Sequence, residues 1–219
     1  MKSRKQTWRW LLKKFDRVTK KIVANDFVHV LILNLDKVVA PRKSDSGIDF
    51  QFLNSAEVAK HSQNPHADLG DDMPGILEQQ EVRCFAALDG NVLLGYAWVA
   101  EGTVAAEHNT GGEQYEGLGL ELEPHVCYLF KCFVLPEHRG RGINQQVLWH
   151  LSEQLIDEGK QKLVTTTSWV NRAFQSSSRR IGFKRIGRAG EWTLLGKRYF
   201  WWSQLPKFGV EFFKPRLTA

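Results

Sequence analysis

The residues richest in chemical possibility lie together in the run Val134-Leu135-Pro136-Glu137-His138-Arg139-Gly140-Arg141-Gly142-Ile143-Asn144. An apolar, β-rich stretch stops at Pro136, a turn of glycine and arginine follows, and helical periodicity begins after Gly142. Glycines let successive backbone N–H groups point into one concavity. A helix that starts there adds the partial positive charge of its N-terminus. Together these make an anion cradle suited to a pyrophosphate. A plain tight turn would explain Gly140 and Gly142 but would leave Arg139 and Arg141 without a role.

Several elements must hold this run in place. Val126 to Leu135 reads as a strand ended by Pro136. Gly142 to Gly159 reads as a helix with Val147, Leu148, Leu151, Leu155 and Ile156 on its buried stripe and Gly159 as its stop. Lys162 to Trp169 is strand-like, and Asn171 to Ile181 is a second, short helix. Phe183 to Ile186 and Glu191 to Trp202 regain strand character. Upstream, Val82 to Leu88 and Val92 to Ala100 flank Asp89-Gly90, a favoured turn pair, and predict a hairpin. Residues 101–117 read as a Gly/Glu-rich loop before a short strand at Leu118 to Leu122. Phe27 to Val39 suggests a strand broken over Pro41 to Gly47. Residues 48–80 are acidic and irregular, with a helix near Ser55 to Gln63, Ser55 as its N-cap and Val58 inward. Strands, helix, strand, helix, strands make a mixed α/β layer fold.

The glycine turn resembles motif A of the GNAT superfamily of acyl-CoA N-acyltransferases, with Arg139 in its first place and Gly142 in its fourth. Asn144 stands where that motif usually has Gly or Ala. The stretch from Asn171 to Gly182-Phe183 is similar to the motif B region, where an Asn opens a helix and Gly-Phe closes it about eleven residues later. The resemblance spans roughly residues 82–200, with Phe27 onward matched only as a first strand. It implies an α/β fold with a mixed, mainly antiparallel central sheet flanked by helices and a splayed pair of parallel strands. Those strands would end near Leu135 and Trp169.

The resemblance also implies the site. The pantetheine arm of acetyl-CoA, the acyl-donor co-substrate, would pair with the main chain of Phe133, Val134 and Leu135. Arg139, Gly140, Arg141, Gly142, Ile143 and Asn144 would hold the pyrophosphate. Asn171 would reach the pantetheine, and as a helix N-cap it has a second role open to it. A primary amine of a small molecule would attack the thioester directly, held close and aligned. The position that carries a proton-donating Tyr in many relatives is Ser178, a much weaker acid. A base is needed for the incoming ammonium. Glu123 and His125 are the nearest candidates, and ordinary loop roles suit both. Lys131 on the same strand would favour an acidic partner over a cationic one. Arg172, Arg179, Arg180, Lys184, Arg185 and Arg188 crowd together, either near the cofactor's ribose phosphate or as a solvated face. Two other readings keep the fold. One is an acyltransferase using a carrier-protein-bound or long-chain acyl donor, and the other is a non-catalytic acyl-CoA-binding module at a membrane surface.

Composition agrees with one globular body. The chain has 219 residues, 42% hydrophobic and 25% charged, with a net charge of +6. Its charge is strongly segregated, with +8 over residues 1–21, −13 over 44–123 and +10 over 124–219. Three widely spaced cysteines, Cys84, Cys127 and Cys132, lack metal-site spacing and read as free thiols with no metal to hold. No run approaches the roughly 20 apolar residues of a membrane span, and no hydrophobic signal core is visible. These features lead to the expectation of a cytoplasmic protein, peripheral at the inner membrane face if its arm binds lipid. Nucleic acid is disfavoured because none of its binding motifs is present. Residues 1–22 form a separate arm and 23–219 a single domain on this reading. Within the arm, Trp8, Leu11, Leu12, Phe15 and Val18 recur at helical spacing among basic residues. Such a helix could pack on the domain, attach to an anionic membrane surface, or dock an acidic carrier protein through residues 1–21.

Overall fold

The computed structural model describes residues 23–41, 47–69, 77, 82–104, 118–194 and 197–214. The arm expected over residues 1–22 lies outside them. Eleven strands and three α-helices are present among the described residues. The main sheet has eight strands: β1 (Val23–Asn34), β2 (Asp49–Leu53), β3 (Val82–Asp89), β4 (Val92–Ala100), β7 (Val126–Val134), β8 (Lys162–Ser168), β9 (Lys184–Leu194) and β10 (Lys197–Trp202). Their spatial order is β10-β9-β1-β8-β7-β4-β3-β2, and every pairing is antiparallel except β7 with β8. A second sheet of three short strands holds β5 (Thr103–Val104), β6 (Gly119–Leu122) and β11 (Val210–Phe213). The helices are α1 (Ser55–Ser62), α2 (Ile143–Asp157) and α3 (Arg172–Ile181).

The sheet separates two cores. On one face α2 and α3 cover Leu31, Leu33, Phe85, Ala97, Leu129 and Leu163. On the other, α1, the segment around Ala67 and Leu69, and the small sheet cover Val30, Ala86, Tyr96, Trp98, Tyr128 and Val164. Alternate residues of each strand thus serve opposite layers. Strands buried on both faces read as nearly continuous apolar runs, as β3 and β4 do.

The elements around the glycine turn follow the sequence closely. Gly142, with φ +80°, caps α2, and Gly159 at φ +82° follows its end. Asn171 caps α3 by accepting a hydrogen bond from the Phe174 N–H at 3.1 Å.

Other expectations need correction. The N-cap of α1 is Asn54, because its side chain accepts from the Glu57 N–H while Glu57 returns to the Asn54 N–H, a reciprocal pair that Ser55 cannot make. The stretch read as irregular contains β2, whose exposed alternate residues mark an edge strand. The hairpin loop is Gly90-Asn91, since Asp89 still pairs with Val92. Ile156 faces solvent rather than the core. The strands expected at Phe183 and Glu191 are one strand, β9, with β10 as its hairpin partner. β1 ends at Asn34, where a 3-10 turn over Leu35–Lys37 begins.

The first strand expected from Phe27 onward is present as β1, which sits between β8 and β9, antiparallel to both. The chain runs from β8 to β9 through α3, and the space so left in the sheet is filled by the N-terminal strand.

Candidate active site

The parallel ladder of β7 and β8 covers only Val126–Leu129 against Lys162–Thr165. Beyond it each strand continues without its neighbour. The cause lies on the other side of β7. Trp98 pairs with Lys131 and Val99 with Leu129, so Phe130 is an extra residue. Such a bulge bends its strand and raises its twist. At the point of divergence the buried Tyr128 hydroxyl lies 2.7 Å from Thr166 Oγ1 and ties the two strands. A cavity of about 350 Å³ occupies the opening, walled by Phe130 to Phe133 on β7, Thr165 to Ser168 on β8, and Asn171 and Phe174 of α3.

At the end of β7 the chain forms the expected turn. The Leu135 N–H donates to the Leu94 carbonyl at 3.0 Å, and the Leu135 side chain is buried. A 3-10 turn over Pro136–His138 leads into Gly140 and Gly142, both left-handed at φ +79° and +80°. A Cβ at either would meet no atom within 4 Å, so conformation and not crowding demands glycine there. The open side is space into which an anion could settle against the first amides of α2, whose Ile143 side chain is anchored in the core. Arg139 folds back, its Nε donating to the Val134 carbonyl at 3.1 Å and its guanidinium 5.4 Å from the Phe133 ring centroid. Gly95 supports the turn from behind, where a Cβ would stand 2.8 Å from the Phe133 carbonyl.

Asn144 has a side-chain role that the sequence did not reveal. Its Oδ1 accepts from Cys132 Sγ at 2.7 Å and its Nδ2 donates to Ser177 Oγ at 3.1 Å. It therefore joins α2 to β7 and α3, the elements bounding the opening. Burial pushes the Cys132 thiol up to about 12, and the same cause raises Cys127 to about 12 and Cys84 further. Thiolate is the reactive form, so at pH 8 a thiol of pKa about 12 is ionised to roughly one part in 10⁴. Cys84 and Cys127, both buried, are therefore expected to react with a disulfide reagent at least 100-fold slower than free cysteine, and rapidly after denaturation. A fast native reaction of either would show that the core around it opens to solvent.

The two groups expected to move protons are not brought to this cavity. Ser178 is buried in α3 and donates to the Phe174 carbonyl at 2.6 Å. Glu123 precedes β7 at the opposite end of the ladder, 3.5 Å from His125 Nε2 and roughly 20 Å from Lys131 at the rise of an extended chain.

One carboxylate does line the cavity, and no motif pointed to it. Asp68 has φ +51°, the only non-glycine residue with positive φ among the described residues. Its neighbours Ala67 and Leu69 are buried, which leaves Asp68 projecting between two anchors. Its carbonyl accepts from Tyr96 OH at 2.8 Å and from Lys131 Nζ. Its carboxylate stands 3.1 Å from the same ammonium. The charge of Lys131, which taken alone disfavours a cationic substrate, is thus neutralised within the site.

A mixed sheet whose one parallel pair opens beside a glycine turn and helix N-terminus is the architecture that the resemblance of the two motifs implied. Residues 50–183 match the model of the Acetyltransferase (GNAT) family, and the chain belongs to that family. Among curated protein sequences, none matches this chain significantly. Several solved structures are similar at low identity, two of those named here with TM-scores above 0.5. A GCN5-related N-acetyltransferase from Kribbella flavida is 14% identical with a TM-score of 0.53, over 82% of this chain and 63% of that one. A Drosophila protein is 14% identical with a TM-score of 0.51, over 84% of this chain and 57% of that one. The aminoglycoside acetyltransferase AAC(6')-Iy, bound to a bisubstrate analogue, is 19% identical with a TM-score of 0.46, over 64% of this chain and 92% of that one. This chain therefore spans less than two thirds of the Kribbella and Drosophila chains.

Proposed function

We propose that the protein transfers an acyl group, acetyl in the simplest case, from acyl-CoA to a primary amine. The cavity in the β7–β8 opening, walled by the strand that leads into the glycine turn, carries this reading. When bound, acyl-CoA supplies an activated thioester. The chain's own residues would do the rest. The Val134 N–H faces the side from which β8 has departed, and the Val134 carbonyl accepts from Arg139 Nε, whereas Phe133 and Leu135, also expected to pair with the pantetheine, turn their main chain to β4. Gly140 to Asn144 would receive the pyrophosphate at the α2 N-terminus. Asn171 lines the cavity while capping α3, so both roles read from the sequence are compatible. Asp68, the cavity's only lining carboxylate among the described residues, would hold the acceptor's ammonium and take its proton.

The test is a screen of primary amines with acetyl-CoA, following thiol release, beside calorimetric titration with acetyl-CoA and a long-chain acyl-CoA. Turnover with at least one amine is expected, and failure of every CoA species to bind would sink the donor assignment. Asp68→Asn would leave Lys131 uncompensated beside an incoming cation. It is expected to raise the amine KM about tenfold, equivalent to roughly 1.4 kcal/mol, with donor Kd within about twofold of wild type. An unchanged KM would remove Asp68 from the acceptor site.

A further inference from the structure

We propose that the outer flank of the main sheet, formed by β1, β9 and β10 on the face that carries α3, is a contact surface for an anionic lipid bilayer. Residues opposite one another in a ladder share a face. The register therefore places Phe27, Gly190 and Trp201 in one row, Trp192 and Tyr199 in the next, and His29 with Arg188 and Leu31 with Arg185 on the other side. Phe27 and Trp201 meet over Gly190 with ring centroids 5.8 Å apart, and Trp192 stacks on Tyr199 at 4.4 Å. Tyr199 remains 41% exposed and Trp201 38%. At the same end of the sheet the Trp169 N–H donates to the Phe27 carbonyl, and Trp169 and Val170 are 57% and 62% exposed.

Beside this apolar band lies concentrated positive charge. Arg179 of α3 and Arg185 and Arg188 of β9 converge on His29, whose pKa burial and these three charges depress. None of the three arginines forms an ion pair with a described residue. Aromatic rings with polar edges sit at the headgroup level of a bilayer, and arginine stems extend along apolar surface while their heads reach phosphate. The segment before β1 adds a second anchor of the same kind. Residues 1–21 carry a net +8 with Trp8, Leu11, Leu12 and Phe15 among the basic residues, and β1 begins at Val23, opposite Leu194 on this flank. Two such anchors bind where one is marginal.

The charge argues against a second copy of this chain as the occupant, because a two-fold contact here would oppose like arginine clusters. The site opening is adjacent, since Val28 and Ser168 both line the cavity and pair with each other. A protein seated on this flank would present its cavity at the bilayer boundary. Vesicle binding is read without turnover, so this inference stands apart from the choice of acyl donor.

The test is co-sedimentation of the full chain with vesicles of pure phosphatidylcholine and of phosphatidylcholine with 30% phosphatidylglycerol. At least tenfold tighter binding to the anionic vesicles is expected, reversed by 0.5 M salt. With the arm intact, Arg185→Glu combined with Arg188→Glu should weaken that binding at least tenfold. Trp201→Ala combined with Tyr199→Ala should weaken it several-fold. Unchanged thermal melting would establish that each variant is folded. Equal binding to both vesicles would overturn the proposal, as would wild-type affinity in both folded variants. A single-stranded oligonucleotide that binds through the same arginines, with no binding to anionic vesicles, would assign the surface to nucleic acid instead.

Discussion

Gly142→Glu is expected to weaken acetyl-CoA binding at least 100-fold, while Gly142→Ala should cost no more than about tenfold. The difference follows from the geometry of the turn. Gly142 has φ +80°, where an L-residue pays roughly 1–2 kcal/mol, and this penalty applies to both variants. No atom lies within 4 Å of a Cβ at this position, so alanine adds no collision. Glutamate adds a negative charge at the α2 N-terminus, where the pyrophosphate is proposed to sit. Two like charges about 5 Å apart repel by about 3 kcal/mol at an effective dielectric of 20. That repulsion alone passes the roughly 2.7 kcal/mol that a 100-fold loss represents, while the backbone strain, present with and without ligand, lowers stability rather than affinity. Calorimetric titration with acetyl-CoA reads both variants, and thermal melting should fall by a similar amount in each because the strain is shared. Wild-type affinity in Gly142→Glu would place the pyrophosphate away from this turn.

Much of this site was legible because its determinants are local. A proline after a β-rich run, left-handed glycines and an apolar stripe define the end of β7 and the start of α2 within about twenty residues of sequence. Asn171 was legible for the same reason, since N-capping requires only the next three residues. What escaped the sequence depends on partners distant along the chain. Phe130 is a bulge only because Trp98 takes Lys131 and Val99 takes Leu129 across the sheet. Asp68 reaches the cavity only because Tyr96 and Lys131 hold its carbonyl. β1 is equally apolar at an edge or between two strands, and only the crossover through α3 selects the interior place. Ser178 shows the reverse case. Its position along α3 fits a resemblance, yet a serine buried in a helix finds its acceptor one turn back, and its hydroxyl donates to the Phe174 carbonyl.

Trp98→Ala is expected to destabilise the fold by about 3–5 kcal/mol, the usual cost of removing a buried aromatic side chain. For a chain of this size that lowers Tm by roughly 10 °C. Trp98 is fully buried, lies opposite Lys131, and packs against Phe130 with centroids 6.0 Å apart. It therefore supports the bulge as well as the core. Its Nε1 has no hydrogen-bond partner among the described residues. An unpaired buried donor costs about 1–3 kcal/mol, so Trp98→Phe relieves that cost while losing some volume, and its net effect should stay within about 1 kcal/mol. The pair of variants separates packing from polarity at one site. If Trp98 also maintains the opening, folded Trp98→Ala at low temperature should bind acetyl-CoA at least tenfold more weakly, and Trp98→Phe should bind as wild type. Equal affinity in both would mean that the β7–β8 opening is maintained without the indole.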